Sequence, residues 1–144
     1  DCIPSLLTSG DPSGVMQRLE ASTDLRILPV SEDLIAKAKA QNPGVMASTV
    51  SPKTWAGLPG DTFMLSFGGV LATRPDISNE MVYNIVKAVY ENADDVKKRG
   101  GVRLKHIDLD FATRFLMPAY PVHAGAAQYF KEQGVWRDEL KEHV

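Results

Sequence analysis

The sequence predicts an α/β fold, and three observations predict it. Short β-prone runs recur along the 144 residues and alternate with stretches of helical apolar spacing. Clusters of Gly, Pro and Asn punctuate the junctions between them. Hydrophobic residues make up 44% and charged residues 24%, the composition of a globular rather than a disordered chain. Strands alternating with helices place the chain in the α/β class. The strand count, three or four, is small for a self-sufficient doubly wound sheet.

Taken in order, residues 3–8 read as a short strand, with Pro4 favouring an edge or first position. Ser9-Gly10-Asp11-Pro12-Ser13-Gly14 is a turn leading into the helical spacing of Val15, Met16 and Leu19. Asp11 followed by Pro12 reads as the helix start, an Asx cap and then proline at the first helical position. Residues 25–30 read as a second strand. Ser31, Glu32 and Asp33 cap a helix running to about Gln41, which Asn42-Pro43-Gly44 stops. Residues 45–50 are β-prone and enter a loop-like stretch over 51–61.

Residues 62–73 are the most apolar strand candidate, and Gly68-Gly69 marks a bend or a close backbone approach within it. Ser78 caps the best helix, in which Met81, Val82, Ile85, Val86, Val89 and Tyr90 form one apolar stripe. A second helix follows through Val96, ends in Lys97-Lys98-Arg99 and stops at Gly100-Gly101. Residues 108–115 read as a short helix, 124–133 as another closed by Gly134, and a short polar helix finishes the chain.

Composition excludes several classes. Sixteen Lys and Arg against eighteen Asp and Glu give a formal charge of −2, which leaves no overall footprint for nucleic acid or anionic membrane. One cysteine, Cys2, excludes an internal disulfide and a multi-cysteine zinc site. No apolar run approaches the roughly 20 residues of a membrane-spanning helix. The opening Asp1-Cys2-Ile3-Pro4 carries no methionine and no signal segment, and it reads as the inside of a longer chain.

Four groups carry possible chemistry. His106, Asp108 and Asp110 would present three metal ligands on one face of a strand, but a helix from 108 splays them apart. His123 is placed for acid–base work or, just before Ala124-Gly125-Ala126, for tying down a helix start. Cys2 sits among apolar residues with no cation beside it in sequence, as a core cysteine does. Ser9 to Ser13 gathers backbone N–H groups, hydroxyls and a carboxylate at a strand end, where α/β folds place ligands. The same string also makes an ordinary helix cap, so the ligand and capping readings stand side by side. It lacks the glycine spacing of a dinucleotide loop and the lysine of a phosphate loop.

The C-terminal string Tyr120-Pro121-Val122-His123-Ala124-Gly125-Ala126-Ala127-Gln128-Tyr129-Phe130-Lys131-Glu132-Gln133-Gly134-Val135 resembles the closing motif of the TAXI family of TRAP transporter solute-binding proteins. That family has a Pro-x-His-Pro-Gly-Ala string before a Tyr-containing helix; this chain has Ala124 at the second proline. Gly10-Asp11-Pro12-Ser13-Gly14-Val15-Met16 is similar to its Gly-x-Pro-Ser/Thr-x-Ala-Ile segment, and Ile27-Leu28-Pro29-Val30 to its Leu-Leu-Pro-Ile. Val70-Leu71-Ala72-Thr73, with the helix carrying Val82-Tyr83, resembles its Leu-Leu-Val-Thr segment and Val-Tyr helix.

The resemblance implies an NMT1-like, periplasmic binding protein type II fold, of which this chain is the C-terminal half, the family's full chain being about twice this length. Residues 1–61 would then belong to the second lobe, as strand, cap turn, helices and loop. Residues 62–144 would form the return crossover and the helices that pack on the first lobe. The implied function is a non-catalytic, periplasmic solute receptor, secreted through a signal peptide. It would capture a small organic anion or amino acid between two lobes and deliver it to TRAP permease subunits. The implied partners are the solute, the permease and the N-terminal half of the same protein; no cofactor, metal or nucleic acid is expected. Ser9, Gly10, Asp11, Pro12 and Ser13 are the expected ligand-binding residues, with Asp11 suited to a ligand ammonium. The alternative is a small α/β enzyme using His123 or the His106, Asp108 and Asp110 group. A lone half is expected to leave an apolar face uncovered, the helix stripe from Met81 to Tyr90 in particular.

Overall fold

The computed structural model describes residues 7, 8, 11–53, 55 and 58–143, and its contacts divide the chain into two units, residues 1–66 and 67–144. The mixture of helices and strands is compatible with an α/β fold. The described strands form two separate antiparallel pairs, with no parallel sheet among them.

The first unit begins with a small hairpin, β1 (Leu7–Thr8) and β2 (Asp11–Pro12), in which Leu7 faces Pro12 and Thr8 faces Asp11. Helix α1 (Gly14–Glu20) follows directly. Its N-cap is Ser13, whose hydroxyl accepts from the Met16 N–H at 3.3 Å; the expected start at Asp11 and Pro12 is therefore corrected. Pairing with β1 holds Asp11 and Pro12 extended, so the helix starts at the next residue able to cap it.

Helix α2 (Glu32–Gln41) matches its sequence signals. The Ser31 hydroxyl accepts from the Leu34 N–H at 3.3 Å, Glu32 and Asp33 sit in the first turn, and Asn42 ends it. Residues 25–30 are not a strand. Pro29 has no N–H to donate to a ladder, and Leu25 and Ile27 pack on the core instead. A single bond remains, from the Val30 N–H to the Phe63 carbonyl at 3.0 Å.

Strands β3 (Met46–Val50) and β4 (Thr62–Ser66) pair antiparallel, with Val50 opposite Thr62 and Met46 opposite Ser66. The period-two alternation turns Val50 inward. It turns Thr49, Phe63, Ala47 and Leu65 outward as an exposed face. The unit's core is Met16, Val50, Trp55 and Leu58, with Leu7, Leu25, Ile27 and Met64 against it. Within the strand candidate over residues 62–73, β4 covers Thr62–Ser66 and ends just before the bend or close approach expected at Gly68-Gly69. Gly68 explains the break: a Cβ there would lie 2.2 Å from the Phe115 side chain, so the backbone passes hard against that ring.

The second unit is built on α3 (Asn79–Glu91) and α6 (Ala124–Glu132). Ser78 caps α3 through the Met81 N–H at 3.2 Å. Val82, Ala127, Tyr129 and Phe130 are buried between the helices, and Tyr83 and Tyr90 pack edge-on against Tyr129 and Phe130 respectively. Gly125 permits the crossing, since a Cβ there would meet the Asn79 carbonyl oxygen at 2.2 Å. Only part of the expected α3 stripe is covered. Val82 is buried, while Met81 and Ile85 remain 55% and 45% exposed.

Between these helices lie α4 (Ala93–Gly100), a 3-10 turn (Gly101–Leu104) and α5 (Leu109–Ala112). Gly101 stops α4 at φ +57, a conformation glycine adopts at little cost. Helix α5 is one turn, shorter than the expected 108–115, and among the described residues the tail carries no terminal helix. Instead the tail runs back as a strap: the Lys141 carbonyl accepts from the Val122 N–H, and the Val122 carbonyl from the His143 N–H, both at 2.7 Å. Leu140 is buried beneath it. Thr113 donates to the Val135 carbonyl at 2.8 Å and Arg137 to the Leu116 carbonyl at 2.6 Å.

Candidate functional site

Of the five expected ligand-binding residues, Asp11, Pro12 and Ser13 lie within the described structure; Ser9 and Gly10 lie outside the described residues, as does Cys2. The three described residues are half-buried; Asp11 and Pro12 form the second strand of the hairpin, and Ser13 joins it to α1. Their chemistry differs from that of a phosphate loop. The Ser13 hydroxyl is engaged by the Met16 N–H, and its carbonyl accepts from Gln17 N at 2.9 Å. The Pro12 carbonyl accepts from Gln17 Nε2 at 3.2 Å. The segment also carries the Asp11 carboxylate, a group that accepts hydrogen bonds from cationic or N–H-bearing groups.

The hairpin and α1 are held from below. Met16 inserts into the core, and one turn further on Glu20 Oε2 accepts a 3.0 Å hydrogen bond from the Trp55 indole N–H. Glu20 and Trp55 carry no local sequence signal, because thirty-five residues separate them.

The alternative catalytic groups occupy structural positions. His123 is the N-cap of α6: Nδ1 accepts from the Gly125 N–H at 3.2 Å, and Nε2 faces the Ile77 carbonyl at 3.0 Å. One tautomer, with the proton on Nε2, satisfies both contacts, so both ring nitrogens are committed. Asp108 caps α5 by accepting from the Phe111 N–H at 3.0 Å, and it lies 4.0 Å from Lys97 Nζ. The His106 ring stacks on Phe111 at 4.9 Å, and Asp110 sits exposed in the first turn of α5. Among the described residues, no three His, Cys, Asp or Glu side chains are gathered to hold a metal ion.

The helix cap at His123 and the Asp11–Ser13 segment both lie within the stretch that a family comparison covers. A model of the NMT1-like family matches residues 5–134. The chain belongs to the NMT1-like family. That family is part of the periplasmic binding protein type II superfamily and points to solute binding. No curated protein matches the chain. No helix among the described residues is long and apolar enough to cross a membrane.

Proposed function

We propose that this chain is part of an extracytoplasmic solute receptor of a TRAP-type transporter, of the TAXI kind. It captures a small organic anion or amino acid between two lobes and delivers it to the membrane permease subunits. The reading includes a periplasmic location and an opposing cleft wall supplied by an N-terminal half of the same protein. The observation that carries it is the NMT1-like match across residues 5–134, which overlaps all four of the ordered segments that resemble the TAXI family.

Within this reading, residues 9–13 form the contribution of one lobe to the ligand. Asp11 pairs with a ligand ammonium, which favours amino acids over dicarboxylates. Closure of two lobes accounts for affinity without perturbed titratable groups or a cofactor.

The test is calorimetry of the protein with both lobes present, against a panel of amino acids and dicarboxylates. An amino acid should bind best, and Asp11→Ala should weaken it about tenfold, the effect of losing one charge-assisted hydrogen bond. Unchanged affinity in that variant removes Asp11 from the site. Failure of every small solute to bind removes the receptor reading.

A further inference from the structure

Helix α1 is seven residues long and each strand of the preceding hairpin is two. Neither element is stable alone: short helices are marginal in water, and so are isolated two-stranded hairpins. The position of Asp11, Pro12 and Ser13 must therefore come from tertiary anchors.

Leu7 of β1 packs against the core ahead of the turn, and two anchors lie on one face of α1 itself. Met16, 5% exposed, enters the core, and Glu20, four residues later, accepts the 3.0 Å hydrogen bond from the Trp55 indole. Helix stability does not account for Glu20. A carboxylate at the last residue of a helix opposes the negative end of its dipole, where a cation is preferred. Trp55 accounts for it. The ring is 5% exposed in the core cluster, and a buried indole N–H requires an acceptor. A carboxylate is a strong one, being charged.

We propose that Glu20 is a positioning residue, which through Trp55 fixes the register of α1 on the core and so holds Asp11–Ser13 in place for the solute. The role for the solute rests on the receptor reading; the mechanical role does not. Leu7 on β1 and Met16, the buried side chain of α1, would leave the last turn of α1 free to swing. The second anchor, a full turn away, removes that freedom.

The experiment compares the wild-type chain with Glu20→Ala and Glu20→Gln by amide hydrogen exchange, then by calorimetry with the solute that the panel identifies. The reporters are the Met16 and Gln17 amides, which close the first turn of α1 on Ser13. Glu20→Ala should accelerate their exchange about tenfold, the effect of one charge-assisted hydrogen bond. Glu20→Gln keeps an acceptor for the indole and should restore the wild-type rate. The amides of β3 and β4 in the same unit should be unchanged. Equal rates in all three proteins overturn the proposal. So does an acceleration that spreads equally to β3 and β4, because Glu20 would then support the whole unit rather than position α1. Where the exchange result holds, an affinity loss in Glu20→Ala rescued by Glu20→Gln supports the link to binding. Exchange that responds while affinity does not would keep the mechanical role and remove residues 11–13 from the solute site.

Discussion

The Tyr83 hydroxyl on α3 donates a 2.6 Å hydrogen bond to Glu132 on α6, joining residues forty-nine positions apart. Gln128 Nε2 donates to the other carboxylate oxygen at 2.9 Å, so Glu132 is the acceptor at the centre of a clasp over the helix crossing. The Tyr83 bond, then that of Gln128, holds the Glu132 carboxyl below the usual carboxylate range. The same bond, with desolvation second, pushes the Tyr83 hydroxyl above its ordinary value.

The signs give a pH dependence at both ends. Glu132 has a depressed folded value, so its contribution is present above the unfolded carboxylate range and is lost as pH falls through the depressed value. Tyr83 has a raised folded value, so its contribution is present below about pH 10 and is lost as pH rises through the raised value. Tyr83→Phe should return the Glu132 carboxyl toward its ordinary range, read by NMR titration of the side-chain carbon. An unmoved titration would show that the bond does not persist in solution.

Gly125 is the next test of the same crossing. A Cβ would approach the Asn79 carbonyl oxygen to 2.2 Å and the Tyr83 amide nitrogen to 2.9 Å, both backbone atoms that cannot swing aside. Gly125→Ala should therefore destabilise the protein by about 1–3 kcal/mol, the range for overpacking. Gly60→Ala is the control, because nothing lies within 4 Å of its added methyl and its φ is not in the left-handed region. That variant should be neutral or slightly stabilised. Equal melting of the two variants would contradict the close helix approach.

His123 separates a cap from a catalyst. His123→Ala removes the acceptor for the Gly125 N–H and the partner of the Ile77 carbonyl. The expected cost is about 1–2 kcal/mol, with fraying of the first turn of α6 seen by hydrogen exchange. His123→Asn, a good N-cap, should recover part of it. Solute affinity should stay within about twofold of wild type, since the ring is spent on structure. A variant as stable as wild type but unable to bind or act would return His123 to the functional site.

Legibility followed the range of the interaction. Ser31, Ser78 and Gly134 marked helix ends correctly because each acts within a few residues: two hydroxyls accept from the amide three positions on, and Gly134 adopts φ +70. The β-prone stretch before Val50 became β3 for a similarly local reason. Residues 25–30 and the polar tail were misread because their state is decided elsewhere, by Phe63 in one case and Val122 in the other. At the candidate site, the turn was visible but its division was not. Whether Asp11 or Ser13 caps α1 depends on pairing with Thr8, which no local rule encodes. The anchor beneath it, Glu20 on Trp55, was invisible for the same reason.

The last prediction concerns the apolar surface. Val70 and Leu71 are 55% and 86% exposed, and Phe67 is 70% exposed. Among the described residues, no backbone amide from 67 to 73 donates to another backbone group. An apolar segment with unpaired backbone groups, continuing from the end of a strand, is a template for strand pairing. Exposed patches of this kind also associate to leave water. The 144-residue chain should therefore self-associate with rising concentration, seen as an increase in mass by light scattering. Replacing Val70 and Leu71 together by serine should shift that mass toward the monomer. Folding should change by no more than about 0.5 kcal/mol per site, because neither side chain is packed. A wild-type chain that stays monomeric at high concentration would show that the segment is not sticky. A variant that associates as strongly as wild type would move the source to the outward face of β3 and β4, where Phe63 and Leu65 are 43% and 44% exposed.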